Sequence, residues 1–116
     1  MQYVTLGKTG LKISRVGFGG IPIQRADAAN TMAVVDKLEE YGMNYIDTAR
    51  GYTVSEEYLG AALEGRRDKF FLASKSMVRD YEGMKKEVET SLKNLRTDHI
   101  EVYQLHNLPL GDFDKV

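Results

Sequence analysis

Hydrophobic and polar positions along the chain switch between a period of two and a period near 3.6, and the switches predict its elements. Residues 2–16 hold two short runs, QYVTL and LKISRV, around Gly7-Lys8-Thr9-Gly10. The glycines can supply the positive φ of a tight turn, so a β-hairpin is expected. Val16-Gly-Phe-Gly-Gly-Ile21 reads as a short strand entering a glycine-rich turn that Pro22 keeps from continuing as a ladder. From Asp27 or Asn30, either able to cap, Val34, Val35, Leu38 and Tyr41 recur at helical spacing while Asp36, Lys37, Glu39 and Glu40 turn outward. Gly42 then stops that helix.

The pattern repeats. Residues 43–49 make a strand-length run, and Thr53-Val-Ser-Glu56 fits a capping box that opens a helix with Tyr58, Leu59, Ala62 and Leu63 as its apolar face. Gly65 closes this helix. The basic turn Arg66-Arg67-Asp68-Lys69 leads into FFLASK, a buried strand that ends in a charge at Lys75. A third helix is expected over residues 80–95, with Met84, Val88, Leu92 and Leu95 on one stripe, and residues 100–105 form the next strand. A hairpin followed by β-α-β-α-β-α-β implies an α/β fold with a parallel sheet and right-handed crossovers, as a barrel or as an open doubly wound sheet.

Composition narrows the classes of function. The 116 residues suit one ordinary domain, and 42% hydrophobic with 28% charged content is that of a globular chain. Sixteen Lys and Arg against seventeen Asp and Glu leave a net charge of -1, so neither nucleic acid nor an anionic membrane is an expected partner. No stretch approaches the roughly 18 apolar residues of a membrane span, and MQYVTLGKTG lacks the apolar core of a signal peptide, so a cytoplasmic location is expected. The absence of cysteine removes disulfides, thiol nucleophiles and thiolate metal sites, and two histidines leave little for an imidazole site, so no metal is expected.

Candidate chemistry gathers at the ends of strands. Asp47, Lys75 and His106 each end or follow an apolar strand, 28 and then 31 residues apart, about one βα unit each. All three therefore share the strands' C-terminal edge, where barrels and open α/β sheets alike place chemistry. Tyr52 lies five residues beyond Asp47 in the same loop. Two phosphate motifs fail: G-x-G-x-x-G from Gly17 meets Pro22 where glycine is needed, and Gly7-Lys8-Thr9 lacks the P-loop's first glycine, having Gln2 there, and the helix that must follow. Carbonyl reduction needs a proton donor where alkoxide develops. A tyrosine hydroxyl, with an ordinary pKa of about 10, serves if a lysine ammonium stabilises its anion. An aspartate can hold that lysine, and an imidazole can orient the carbonyl or relay the proton. Taken singly, each residue has a plain structural reading as a cap, a solvated strand end, a packed ring or a satisfied histidine. Their coincidence at one edge favours a joint role.

The blocks LGKTGLKISRVGFGG, YGMNYIDTARGYTVSEEYLGAAL, FFLASK and SLKNLRTDHIEVYQLHNLP resemble those of the aldo-keto reductase family, in order and in spacing, over nearly the whole chain. The resemblance implies a (β/α)8 barrel, NADPH or NADH held without a Rossmann fold, and a small carbonyl substrate reduced to an alcohol by hydride transfer. It implies Asp47, Tyr52, Lys75 and His106 as the catalytic set, with Tyr52 as general acid and no metal required. The turn after the first barrel strand would touch the nicotinamide-ribose end through Gly19, Gly20 and Ile21, with Asp47 nearby; the plain alternative for the glycines is a tight turn. Glu101 stands where many relatives carry aspartate. Elsewhere Arg66, Arg67 and Lys69 read as a solvated turn on the barrel's far face, with His99. Met32, Met43, Met77 and Met84 read as core or half-buried residues, and Tyr3 and Tyr41 as rings packed where hairpin meets sheet.

Length is where the chain departs from that family. A complete barrel takes about 250 residues, so residues 1–116 would supply the hairpin and the first four strands, the N-terminal half of a TIM barrel. A lone half exposes two strand edges and inward-facing apolar residues. The expectation is therefore a fragment of a longer enzyme, a self-associating pair, or a chain completed by a complementing C-terminal half. Residues 112–116 carry no helix stop, which favours the fragment. The alternative to a reductase is a non-catalytic half-barrel interaction or scaffold module, and dinucleotide binding separates the two.

Overall fold

The computed structural model describes residues 1–116. An antiparallel hairpin, β1 (Tyr3–Thr5) and β2 (Lys12–Ser14), precedes four parallel strands, β3 (Phe18–Gly19), β4 (Tyr45–Asp47), β5 (Phe71–Ser76) and β6 (Val102–Leu105), in that spatial order. Between them run α1 (Ala28–Tyr41), α2 (Ser55–Ala62) and α3 (Tyr81–Asn94). The fold is thus α/β, with an N-terminal hairpin and four consecutive strands of a partial (β/α)8 barrel. No helix is long and apolar enough to cross a membrane.

Local chemistry sets the boundaries. Asp27 caps α1 by accepting from the Asn30 amide at 2.7 Å, Asp80 does the same for α3 through Gly83, and Gly42 ends α1 at φ 75°, a left-handed conformation that glycine adopts without strain. The capping box at Thr53 does not form. Val54 occupies the cap position without a side-chain bond, Thr53 bonds Gln24 instead, and Glu56 turns inward. The expected helix nevertheless starts within two residues of its place.

One apolar layer binds helices to sheet: Val35 and Leu38 of α1, Ile46, Leu59, Ala62 and Leu63 around α2, then Phe70, Leu72 and Leu95. Each large side chain here contributes about 1.5–3 kcal/mol by leaving water. Gly60 lets the end of α3 approach α2, since a Cβ there would collide with the Asn94 carbonyl and the Leu95 backbone. Register fixes the two faces of the sheet. Ile46 pairs with Leu72 and Ser74 with Tyr103 on the helix side, while Gly19 pairs with Asp47, Asp47 with Ala73, and Lys75 with Gln104 on the other. The hairpin sits at the strands' N-terminal end, fastened by Asn44, which accepts from the Ser14 amide at 2.7 Å and donates to the Lys12 carbonyl at 3.0 Å.

Several expected core positions lie outside the core. Tyr41, Met32 and Met77 are exposed, because the α1 stripe turns through Thr31, Val35 and Leu38 and Met77 falls just past β5. Tyr3 is also largely exposed, its hydroxyl donating to the Gly42 carbonyl. Arg66 and Arg67 are no solvated turn. Arg66 bridges to Asp36 and Glu39 of α1, and Arg67 grips Glu101 and the carbonyls of Phe70 and His99, so the first ties the turn to α1 and the second ties it to the segments that enter β5 and β6. Along α3, Leu95 is buried, but Met84, Val88 and Leu92 are only half-buried.

Candidate active site

The sheet's C-terminal edge brings Asp47, Tyr52, Lys75 and His106 together. Asp47 ends β4, Lys75 is the penultimate residue of β5, and His106 follows β6, its amide donating to the Ser76 carbonyl at 2.8 Å. Lys75 is nearly buried. Its Nζ donates to Asp47 Oδ2 at 2.6 Å and to the Thr48 carbonyl at 2.8 Å, which gives the buried ammonium an ion pair and a second acceptor. The same Nζ lies 4.9 Å from the centroid of the Tyr52 ring, within cation–π range, and Tyr52 meets His106 edge-to-face at 5.7 Å between centroids.

His106 differs from an ordinary imidazole. Burial lowers its pKa below 6.5, the charge of Lys75 lowers it further, Asp47 opposes and Arg79 adds to the lowering. Its Nδ1 is buried without a hydrogen-bond partner.

The turn after β3 shows two glycines with different reasons. At Gly20 a Cβ would stand 2.9 Å from the Asp47 carbonyl and from Ser55 Oγ, so close packing alone requires glycine. Its amide donates to Asp47 O at 2.7 Å, and Ser55 Oγ, paired with Thr48 Oγ1 at 2.8 Å, donates back to Gly20 O at 3.0 Å. Gly19 has neither positive φ nor a neighbour within 4 Å. It pairs in register with Asp47, so a side chain there would project into open space on the face that carries Asp47 and Lys75. Ile21 beside it is exposed. An open face and an unfilled glycine position beside Asp47 and Lys75 leave room for a flat ligand such as a nicotinamide ring.

Three residues at this edge were not legible in advance. Glu56, only 1% exposed, accepts from Ser74 Oγ and Ser91 Oγ, each at 2.7 Å, and from Asn94 Nδ2 at 3.2 Å. Arg50 reaches it at 3.3 Å. Arg79 donates to the carbonyls of Ser76 and His106, holding the end of β6 to that of β5. A glutamate in a first helical turn has the pattern of a cap, and an arginine in a loop that of a solvated charge. Only the burial of their partners distinguishes them.

A model of the aldo/keto reductase family matches residues 14–110. Among curated relatives, an uncharacterized oxidoreductase of Bacillus subtilis, YqkF, is 34% identical over 97% of this chain and 41% of its own length. The methylglyoxal reductase DkgA of Yersinia pestis is 33% identical over 75% of this chain and 32% of its own length. Among solved structures, the holo form of an aldo-keto reductase from Bacillus halodurans superposes with a TM-score of 0.86 at 33% identity, covering 99% of this chain and 43% of that one. An aldo-keto reductase from Klebsiella pneumoniae in complex with NADPH gives 0.78 at 27% identity, covering 91% and 40%. The chain thus spans about two fifths of the length of the oxidoreductase YqkF and of these solved structures.

Proposed function

The chain belongs to the aldo/keto reductase family, and from that premise we propose that residues 1–116 form the N-terminal half of an NAD(P)H-dependent carbonyl reductase barrel and carry its acid–base set. Activity then resides in the barrel completed by further strands. The observation that carries this reading is the Lys75 ammonium held 2.6 Å from Asp47 and 4.9 Å from the Tyr52 ring, with His106 against the same ring.

Tyr52 donates its phenolic proton to the carbonyl oxygen as negative charge develops there. Lys75 stabilises the tyrosinate left behind, which lowers the cost of a proton transfer from a group whose ordinary pKa is about 10. Asp47 keeps the Lys75 amine in place and offsets its charge. His106, held neutral near pH 7 by burial and by Lys75, orients the carbonyl by donating a hydrogen bond without competing as an acid. Gly19, Gly20, Ile21 and Asp47 would hold the nicotinamide end of NADPH or NADH, which when bound supplies the hydride. Substrates are small carbonyl compounds, a class that includes the aldehyde in the name of the Yersinia pestis relative.

The test is a fluorescence titration with NADPH of the barrel completed by joining residues 1–116 to the remaining strands of the Bacillus halodurans relative. Saturable binding is expected, weakened at least about tenfold by Gly19→Leu, a loss of about 1.4 kcal/mol. The same substitution leaves the unfolding midpoint of the 116-residue chain unchanged, because the position is open. Equal binding by Gly19→Leu would remove the cofactor-end assignment, and no binding at all would favour the non-catalytic half-barrel.

A further inference from the structure

The most unusual group outside the tetrad is the buried Glu56 carboxylate, and its one cationic partner leads back to the proposed proton donor. Lys75 faces the open side of the sheet, so its neighbours Ser74 and Ser76 face the helices. Ser74 Oγ donates to Glu56 Oε1 on α2 at 2.7 Å, and Ser76 Oγ donates to Glu87 Oε2 on α3 at 3.0 Å. A single guanidinium spans both carboxylates: Arg50 Nη1 lies 3.3 Å from Glu56 Oε2, and Arg50 Nε lies 3.4 Å from Glu87 Oε2. The second contact is an ion pair and not a hydrogen bond, since Nε is buried without a hydrogen-bond acceptor. Arg50 is also tied by its backbone, the amide donating to the Lys75 carbonyl at 2.9 Å.

The loop so anchored needs an anchor. It leaves β4 at Asp47, carries Tyr52, and passes Thr53 at φ 44°, a left-handed conformation that costs a β-branched residue of the order of 1–3 kcal/mol unless its surroundings hold it. Within the loop, the Tyr52 amide reaches the Ala49 carbonyl at only 3.2 Å, a bond at the long end of the range. Glu56 for its part is almost fully buried, and without the guanidinium its negative charge would be met by neutral donors alone. The same guanidinium thus meets the charge beneath the loop and ties the loop's start to α2 and α3.

We propose that Arg50 is the positioning residue for Tyr52. Its guanidinium, clamped between Glu56 of α2 and Glu87 of α3, whose carboxylates also hold Ser74 and Ser76 on either side of Lys75, ties the Asp47–Tyr52 loop to those helices and so sets where the Tyr52 hydroxyl stands. The inference rests on the reading of Tyr52 as proton donor, but its test reads geometry and motion alone. A completed barrel without reductase activity would therefore leave the outcome below standing.

The test uses the isotopically labelled 116-residue chain. Backbone order parameters of residues 51–53 and cross-relaxation between the Tyr52 and His106 rings are measured in the parent, Arg50→Gln, Glu87→Gln and Arg96→Gln. The parent loop is expected near the rigid value of about 0.85, falling below about 0.6 in Arg50→Gln with loss of the Tyr52–His106 cross-peaks, while Leu59 and Leu72 stay rigid. Arg50→Lys should fall between, since a compact ammonium cannot span both carboxylates. Arg96→Gln makes the same charge change at an exposed pair with Glu64 and should match the parent. A folded Arg50→Gln chain with a rigid loop and intact cross-peaks would overturn the proposal. If Arg50→Gln does not fold, Glu87→Gln, which removes only the partly exposed arm of the clamp, decides by the same readout: a loosened loop supports the proposal and a rigid one overturns it.

Discussion

At His106, burial acts first and the Lys75 ammonium second, and both hold the imidazole pKa below the ordinary 6.5. As pH falls through about 6.5, the unfolded chain takes up this proton before the folded one. The folded state therefore keeps its full stability above that value and loses the His106 contribution as pH falls toward the lower folded pKa. In a proton NMR titration the His106 ring should titrate below about 6.5, and Lys75→Met should move its midpoint upward, because a repelling cation is lost and Asp47 is left to attract the proton. A midpoint that stays put or drops in Lys75→Met would contradict the coupling. Three of the four clustered residues were legible because a charged or polar residue ending an apolar run has a fixed place in a βα unit. Glu56 was not, since its acceptor role joins Ser74, Ser91 and Asn94, which are 18, 35 and 38 residues away and carry no mark of their own.

Among the elements, α3 separates what periodicity reveals from what packing decides. Its apolar stripe was visible, yet only the end at Leu95 enters the core, while Met84 and Val88 stay half-buried outside it. Leu95→Ala should therefore cost about 3 kcal/mol in urea unfolding, whereas Tyr81→Ala, at a side chain 78% exposed, should stay within about 0.5 kcal/mol. Equal midpoints for the two variants would mean that α3 docks by its other face. Strand and helix order and the Asp27 and Gly42 boundaries were readable, because caps and left-handed glycines are local signals, whereas α2 ends at Ala62, three residues before the expected stop at Gly65. The Arg66 and Arg67 clamps were not, since a basic turn looks the same whether its charges meet water or carboxylates about 30 residues away.

The whole molecule is more open than a closed domain of its mass. Its accessible surface of 7144 Å² exceeds the roughly 6,400 Å² of a compact 13.1 kDa protein, and its radius of gyration of 14.3 Å exceeds the roughly 13.4 Å of a compact chain of this length. β3 and β6 each have one unpaired edge, and Leu105 of β6 is exposed, as are Leu110 and Phe113 in the segment that follows it. Such a shape fits strands that continue a barrel. The most direct measurement is therefore NADPH oxidation by methylglyoxal in the completed barrel, comparing Tyr52 with Tyr52→Phe. Loss of the general acid should lower kcat by about 10²–10⁴-fold with KM little changed; turnover by Tyr52→Phe at the parent rate would contradict the assignment of Tyr52 as proton donor.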